Sequence, residues 1–174
     1  SSGKEHPVYD TGWITAKGDE PKNNPLVAIN EADEGIIAIS GPPGSGKSSL
    51  QKEIKKQLGK KAKIVVSYTT RKKRTKEING VDYHFVSKAK FEKMIADGEF
   101  TTPNGTDLYF KNYGNYYGRK YEDMKPPKVA IVDLSFEALE KYREGFEDIY
   151  AIFIKPSEKD IPREVWERIL WSRG

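Results

Sequence analysis

With 174 residues, no cysteine and a formal charge of +4, the chain is sized for one domain with room for a small inserted subdomain. This composition excludes disulfides, thiolate metal sites and a cysteine nucleophile, and it fits a reducing compartment, the cytoplasm. No apolar stretch approaches the roughly 20 residues of a membrane span, no signal-peptide pattern opens the chain, and the clustered basic excess suits phosphorylated ligands.

Ser1-Ser2-Gly3 lacks an initiator Met and reads as a cloning remnant. Residues 1–34 are polar and rich in Gly, Pro, Asn and charge, which predicts an N-terminal extension with Trp13 packed against the domain. From Gly35 a strand–helix alternation begins. Gly35 to Ser40 is an apolar run suited to a buried parallel strand. Residues 41–48 read Gly-Pro-Pro-Gly-Ser-Gly-Lys-Ser, a complete G-x-x-x-x-G-K-[ST] phosphate-binding loop. Its glycines, Gly41, Gly44 and Gly46, let backbone N–H groups close around an anion. Lys47 reaches the β- and γ-phosphates, and the Ser48 hydroxyl suits Mg²⁺. Leu50, Ile54 and Leu58 then stripe a helix that ends at Gly59 and points its positive end at the same phosphates.

Ala62 to Ser67 predicts the second strand, and residues 68–84 are polar and basic. Within them Arg71 and Arg74 share a short loop with Tyr83 beyond it. Arginine grips a phosphate with a planar fork and tyrosine adds a neutral donor, so this segment suits a second phosphate. A solvated basic turn is the other reading of it. Ser87 predicts the cap of a helix carrying Phe91, Met94 and Ile95 and ended by Gly98. Residues 99–117 suggest short antiparallel strands. Val129 to Asp133 is a buried strand ending on a carboxylate, followed by a helix with Ala138, Leu139 and Tyr142, and then by a strand from Ile149 to Ile154. Ser157 is placed to cap a last helix with Pro162 in its first turn and Val165, Ile169 and Leu170 inward. The alternation predicts an α/β fold with a parallel sheet flanked by helices. The Thr/Tyr-rich middle forms a mixed insertion over the sheet's C-terminal edge.

The phosphate loop, Thr69-Thr70-Arg71-x-x-Arg74, Asn79-Gly80-x-Asp82-Tyr83-x-Phe85-Val86-Ser87, Gly114-Asn115-Tyr116-Tyr117-Gly118 and Ile152-Phe153-Ile154 occur in the order of one family. Through most of residues 35–174 the chain resembles guanylate kinase. The resemblance implies a P-loop core over 35–67 and 119–174, and a monophosphate-binding subdomain over 68–118. It implies ATP- and Mg²⁺-dependent phosphorylation of GMP to GDP, with small-molecule substrates, no membrane and either a monomer or a homodimer. Its ATP site would comprise Gly41, Pro42, Pro43, Gly44, Ser45, Gly46, Lys47, Ser48 and Ser49, with Ser48 and Asp133 at the metal. Its GMP site would comprise Ser67, Arg71, Arg74, Tyr83, Thr102, Tyr117, Arg119, Asp133 and Ser135. Lys47, Arg71, Asp133, Arg168 and Arg173 would serve catalysis.

Four departures from the family accompany the resemblance. Thr101 and Thr102 stand where a base-reading Glu is usual, and the stretch to Tyr113 is longer, so Asp107 is an alternative carboxylate. Arg119 replaces a Ser or Thr, and points either at the base or outward as a surface charge. Asp133-Leu134-Ser135 replaces Asp-x-Asp, with Ser135 also placed to cap the next helix. The sequence stops at Gly174, where the family's lid begins, which implies a lid cut short. A protein-interaction module taking a phosphorylated peptide in the monophosphate site is the alternative function. Nucleic-acid binding through Lys60, Lys61, Lys63 and the basic loop is disfavoured, because the aromatics form no obvious stacking platform.

Overall fold

The computed structural model describes residues 8–10 by their backbone, and residues 34–41, 46–125 and 128–154. The chain runs β1 (Val8–Asp10), β2 (Ile36–Ser40), α1 (Lys47–Leu58), β3 (Ala62–Ile64), β4 (Tyr68–Thr69), β5 (His84–Phe85) and α2 (Lys88–Ala96). It continues through β6 (Tyr109–Asn112), β7 (Asn115–Gly118), β8 (Val129–Asp133), α3 (Phe136–Gly145) and β9 (Ile149–Phe153). Strands β1-β9-β2-β8-β3 form an all-parallel sheet, and β5-β4-β7-β6 form a smaller mixed one. The predicted α/β class holds, with the antiparallel pair β6–β7 lying in the Thr/Tyr-rich middle. The second strand is shorter than expected. It ends at Ile64, although the Val65 amide still donates to the Ile131 carbonyl at 2.9 Å, and Val65 to Ser67 lead on to the second sheet.

Alternation along β2 explains two packed layers. Ile37 and Ile39 face Ile54 and Leu58 of α1, while Ile36 and Ala38 face Leu139 and Tyr142 of α3. A sheet covered on both faces needs continuous apolar strands, and all five residues of β2 are buried. A third cluster holds Phe91, Met94 and Phe100, with Tyr68, Tyr109 and Tyr116 around them. Phe91 stacks between Phe100 at 4.5 Å and Tyr116 at 5.0 Å, so α2 is fastened to the small sheet by aromatic faces.

Caps act where the sequence placed them. Ser87 accepts from the Lys90 amide at 3.1 Å and Ser135 from the Ala138 amide at 3.2 Å. One strand was missed. Val8–Asp10, within the expected extension, add β1 alongside β9 in the parallel sheet. Trp13 and the helix expected after Ser157 lie outside the described residues. Among the described residues no helix is long and apolar enough to cross a membrane.

Candidate active site

The C-terminal ends of β2 and β8 stop side by side, with Ile39 paired to Asp133. Ligands of open parallel sheets bind at such strand ends. After β2 the chain enters the phosphate loop, whose Pro42, Pro43, Gly44 and Ser45 lie outside the described residues. Gly46 closes it at φ +92°, a left-handed conformation that a side chain would strain, and α1 starts from there. The Lys47 ammonium donates to the Gly41 carbonyl at 2.9 Å, folding back across the loop mouth. Ser48 and Ser49 are exposed at the helix start, and no acidic side chain occupies its first turn. An anion there meets unshared amide donors and the positive helix end.

Opposite stands the small sheet. Thr69 donates its hydroxyl to the Tyr116 carbonyl at 2.9 Å, and Thr70 accepts from the Tyr116 amide at 2.9 Å. These bonds clamp the start of the basic loop to β7. The Thr69 oxygen also accepts from the Arg71 amide at 3.2 Å, which fixes where Arg71 leaves the strand. Arg71 then meets Glu77 through both ends of its fork, at 2.6 and 3.1 Å. That hydrogen bond raises the Arg71 pKa further and, with the Arg74 amide, pulls the Glu77 carboxyl down to about 2. The Arg71 guanidinium also lies 5.3 Å from the Tyr83 ring centre.

Tyr83 is held by its own turn. Asn79 accepts from the Phe85 amide at 2.9 Å, Asp82 accepts from the Ile78 amide at 2.7 Å, and Gly80 donates to the Tyr83 carbonyl at 2.7 Å. Its ring meets Tyr117 edge-on at 6.1 Å. Burial, with the Asp133 charge adding to it, lifts the Tyr83 phenol above its ordinary value, so the hydroxyl stays a neutral donor through physiological pH.

Between the two sheets runs one cleft. Ser48, Ser67, Tyr83, Tyr117, Arg119, Asp133 and Ser135 border it together, with Asp107 at its side and Lys52 of α1 beside Ser48. Lys47, Arg71, Arg74 and Thr102 stand outside its lining. Arg71 nevertheless packs directly behind Tyr83, and Arg74 shares its turn, its amide donating to Glu77 at 2.7 Å. Arg168 and Arg173 lie outside the described residues.

Three expectations are corrected. Thr102 is 3% exposed and does not face the cleft. It closes an inserted turn, accepting from the Thr106 amide at 3.0 Å and pairing with Asn104, whose amide side chain donates to the Glu144 carbonyl at 2.9 Å. The turn therefore caps the end of α3, because a polar Thr/Asn/Gly run makes its own hydrogen bonds. Arg119 is not an outward surface charge. It is buried at 8% exposure, with Nη2 donating to the Asp133 carbonyl at 2.7 Å and to its Oδ1 at 2.9 Å. Ser135 borders the cleft, but its oxygen is committed to the cap of α3. Glu77 was missed. Its signal was a lone acid inside a basic loop, within reach of Arg71.

Among the described residues no group of three or more His, Asp or Glu gathers into a metal cage. Ser48 and the half-exposed carboxylate of Asp133 are among the oxygen donors that border the cleft. That set suits a cation such as Mg²⁺, which is commonly held by one or two protein oxygens and substrate phosphates.

Comparison with known proteins gives one consistent answer. A protein-family model described as guanylate kinase matches residues 34–169. A guanylate kinase of Wigglesworthia glossinidia brevipalpis is 35% identical over 137 residues, covering 75% of this chain and 63% of that protein. One of Clostridioides difficile (strain 630) is 43% identical over 106 residues, covering 61% and 43%. One of Thiobacillus denitrificans is 36% identical over 126 residues, covering 72% and 59%. The chain thus spans between 43% and 63% of the length of these curated relatives. The crystal structure of guanylate kinase from Anaplasma phagocytophilum superimposes with a TM-score of 0.56 at 22% identity, covering 80% of this chain and 70% of that one, a likeness of fold.

Proposed function

Because the chain belongs to the guanylate kinase family, we propose that it transfers the γ-phosphoryl group of ATP to GMP, yielding ADP and GDP. The observation that carries this reading is the pairing of two anion sites across one cleft. The helix start borders one side through Ser48, with Lys47 next to it in the same turn just outside the lining, and the wall of Tyr83 and Tyr117 backed by Arg71 borders the other.

Two nucleotides bring several negative charges together, so neutralising repulsion is the first task. Lys47 exchanges its Gly41 carbonyl for a phosphate oxygen of ATP. Arg71 and Arg74 supply charge at the acceptor, and Tyr83 and Tyr117 donate neutral hydrogen bonds to its phosphate. Glu77 holds the planar Arg71 fork in one orientation before substrate arrives, which lowers the entropy lost on binding. An acceptor phosphate oxygen then attacks the γ-phosphorus in line, and the bond to the bridging oxygen breaks toward ADP. No side-chain nucleophile is required. Ser48 and Asp133 would hold Mg²⁺, which would draw charge from the phosphate oxygens. Ser67 would approach the base. By resemblance to the family, Arg168 and Arg173 would serve the ATP phosphates. The absence of cysteine supports a cytoplasmic setting.

A coupled assay with ATP–Mg²⁺ against GMP, dGMP, AMP, CMP and UMP tests the proposal. Selective turnover of GMP is expected. Turnover of another base would change the substrate assignment. No turnover with any base, despite ATP binding, would move the site to the phosphopeptide reading.

A further inference from the structure

A buried charge on the cleft lining belongs to a residue that the chemistry above does not use. Arg119 directly follows β7, whose Tyr117 forms part of the acceptor wall, and its amide donates to the Leu108 carbonyl at 3.0 Å. From there its side chain crosses from the small sheet to the end of β8. One nitrogen, Nη2, contacts both the main-chain carbonyl and Oδ1 of Asp133. The buried Tyr142 of α3 stands nearby, its phenol pushed up by burial and drawn partly back by the Arg119 charge. The Arg119 Nε is buried and has no hydrogen-bond partner among the described residues.

The exposure of the pair is lopsided. The Arg119 side chain is 10% exposed and that of Asp133 is 51%. Burying a guanidinium with one nitrogen unsatisfied is unfavourable, and a neutral side chain would fill the space without that cost. The cost is offset only by what the cation holds. It holds Asp133 at two atoms, the backbone carbonyl and one carboxylate oxygen, while the Asp133 side chain stays half-exposed on the cleft lining. The contact also joins the two sheets, because the acceptor wall and the strand end of β8 meet through it.

We propose that Arg119 is a positioning residue for phosphoryl transfer, acting through Asp133. It orients the Asp133 carboxylate into the cleft and locks the Tyr117 wall to the end of β8, without itself contacting the nucleotide. The inference rests on the kinase reading. It predicts a separation of effects. Removing Arg119 misdirects Asp133 and slows transfer, while the acceptor's own contacts on Arg71, Tyr83 and Tyr117 remain.

The test is a double-mutant cycle with Arg119→Ser, Asp133→Asn and the double variant. It is read as kcat and KM, as GMP affinity by calorimetry without ATP, and as the ¹⁵N signals of the Arg119 guanidinium. Arg119→Ser is expected to lower kcat by about tenfold or more while GMP affinity stays within about threefold. The double variant is expected to be no slower than Asp133→Asn alone to within about twofold, since both changes remove one linkage. The guanidinium of the unmutated protein should give resolved, slowly rotating signals that collapse in Asp133→Asn. Arg119→Lys keeps the charge and should recover part of the rate. It also carries the test if Arg119→Ser fails to fold by circular dichroism.

Independent, additive losses would overturn the proposal. So would a fall in GMP affinity of about tenfold or more with kcat intact, which would make Arg119 a substrate contact. An unmutated protein that transfers nothing, yet keeps the locked guanidinium, refutes the kinase reading. Wild-type turnover in Arg119→Ser refutes this proposal alone.

Discussion

Lys47 and Arg71 are the residues proposed for the two phosphates, and each already leans on a protein oxygen, Lys47 on Gly41 and Arg71 on Glu77. Their substitutions should therefore separate. Lys47→Ala is expected to cut transfer by about a hundredfold or more while GMP binding survives, read by steady-state kinetics beside calorimetry. Arg71→Ala should instead raise the GMP dissociation constant by about tenfold or more, the scale of one charge-assisted contact. Equal losses of ATP affinity alone in both variants would overturn the two-site assignment. Glu77 adds a pH signature. Its folded pKa is depressed from 4.5 to about 2, chiefly by the Arg71 hydrogen bond. The stability it contributes is thus full above its unfolded value and drains away as pH falls toward 2. Urea unfolding at about pH 5 and about pH 3 should show a drop in the native protein that Glu77→Gln makes shallower.

At the scale of elements, the inserted turn and α3 fit each other closely. A Cβ on Gly145 would sit 3.0 Å from Thr102 Cγ2 and 3.0 Å from Thr106 Cβ, both belonging to a turn already closed by its own hydrogen bonds. The last residue of α3 is therefore small because another segment presses on it. Gly145→Val is expected to lose about 1–3 kcal/mol by overpacking, measured as a shift in the urea midpoint at constant m-value. An unchanged midpoint would mean that the turn is not seated on the helix. Such docking escapes a sequence reading. Thr101, Thr102 and Thr106 show no period, and the contact from Asn104 to Glu144 spans 40 positions. The caps Ser87 and Ser135 were legible for the opposite reason, since each hydroxyl reaches an amide three residues on.

For the whole molecule, β1 lies at one edge of the parallel sheet, covering β9. Removing residues 1–10 should leave β9 as an open edge, lowering the melting temperature and raising light scattering on heating. Unchanged values for both would show that β1 adds nothing to the sheet. The sequence by itself determined the parallel α/β class, the phosphate-loop motif and the helix caps. Each of these is written in neighbouring residues as a period, a cap or a short motif whose geometry is local. Only the tertiary structure decided that Arg119 turns to Asp133, that Thr102 seals a turn against α3, and that Val8–Asp10 join the sheet. The reason is physical. A buried charge, a docked turn and an edge strand are selected by partners distant in the chain, and local propensity carries no record of which partner the fold brings near.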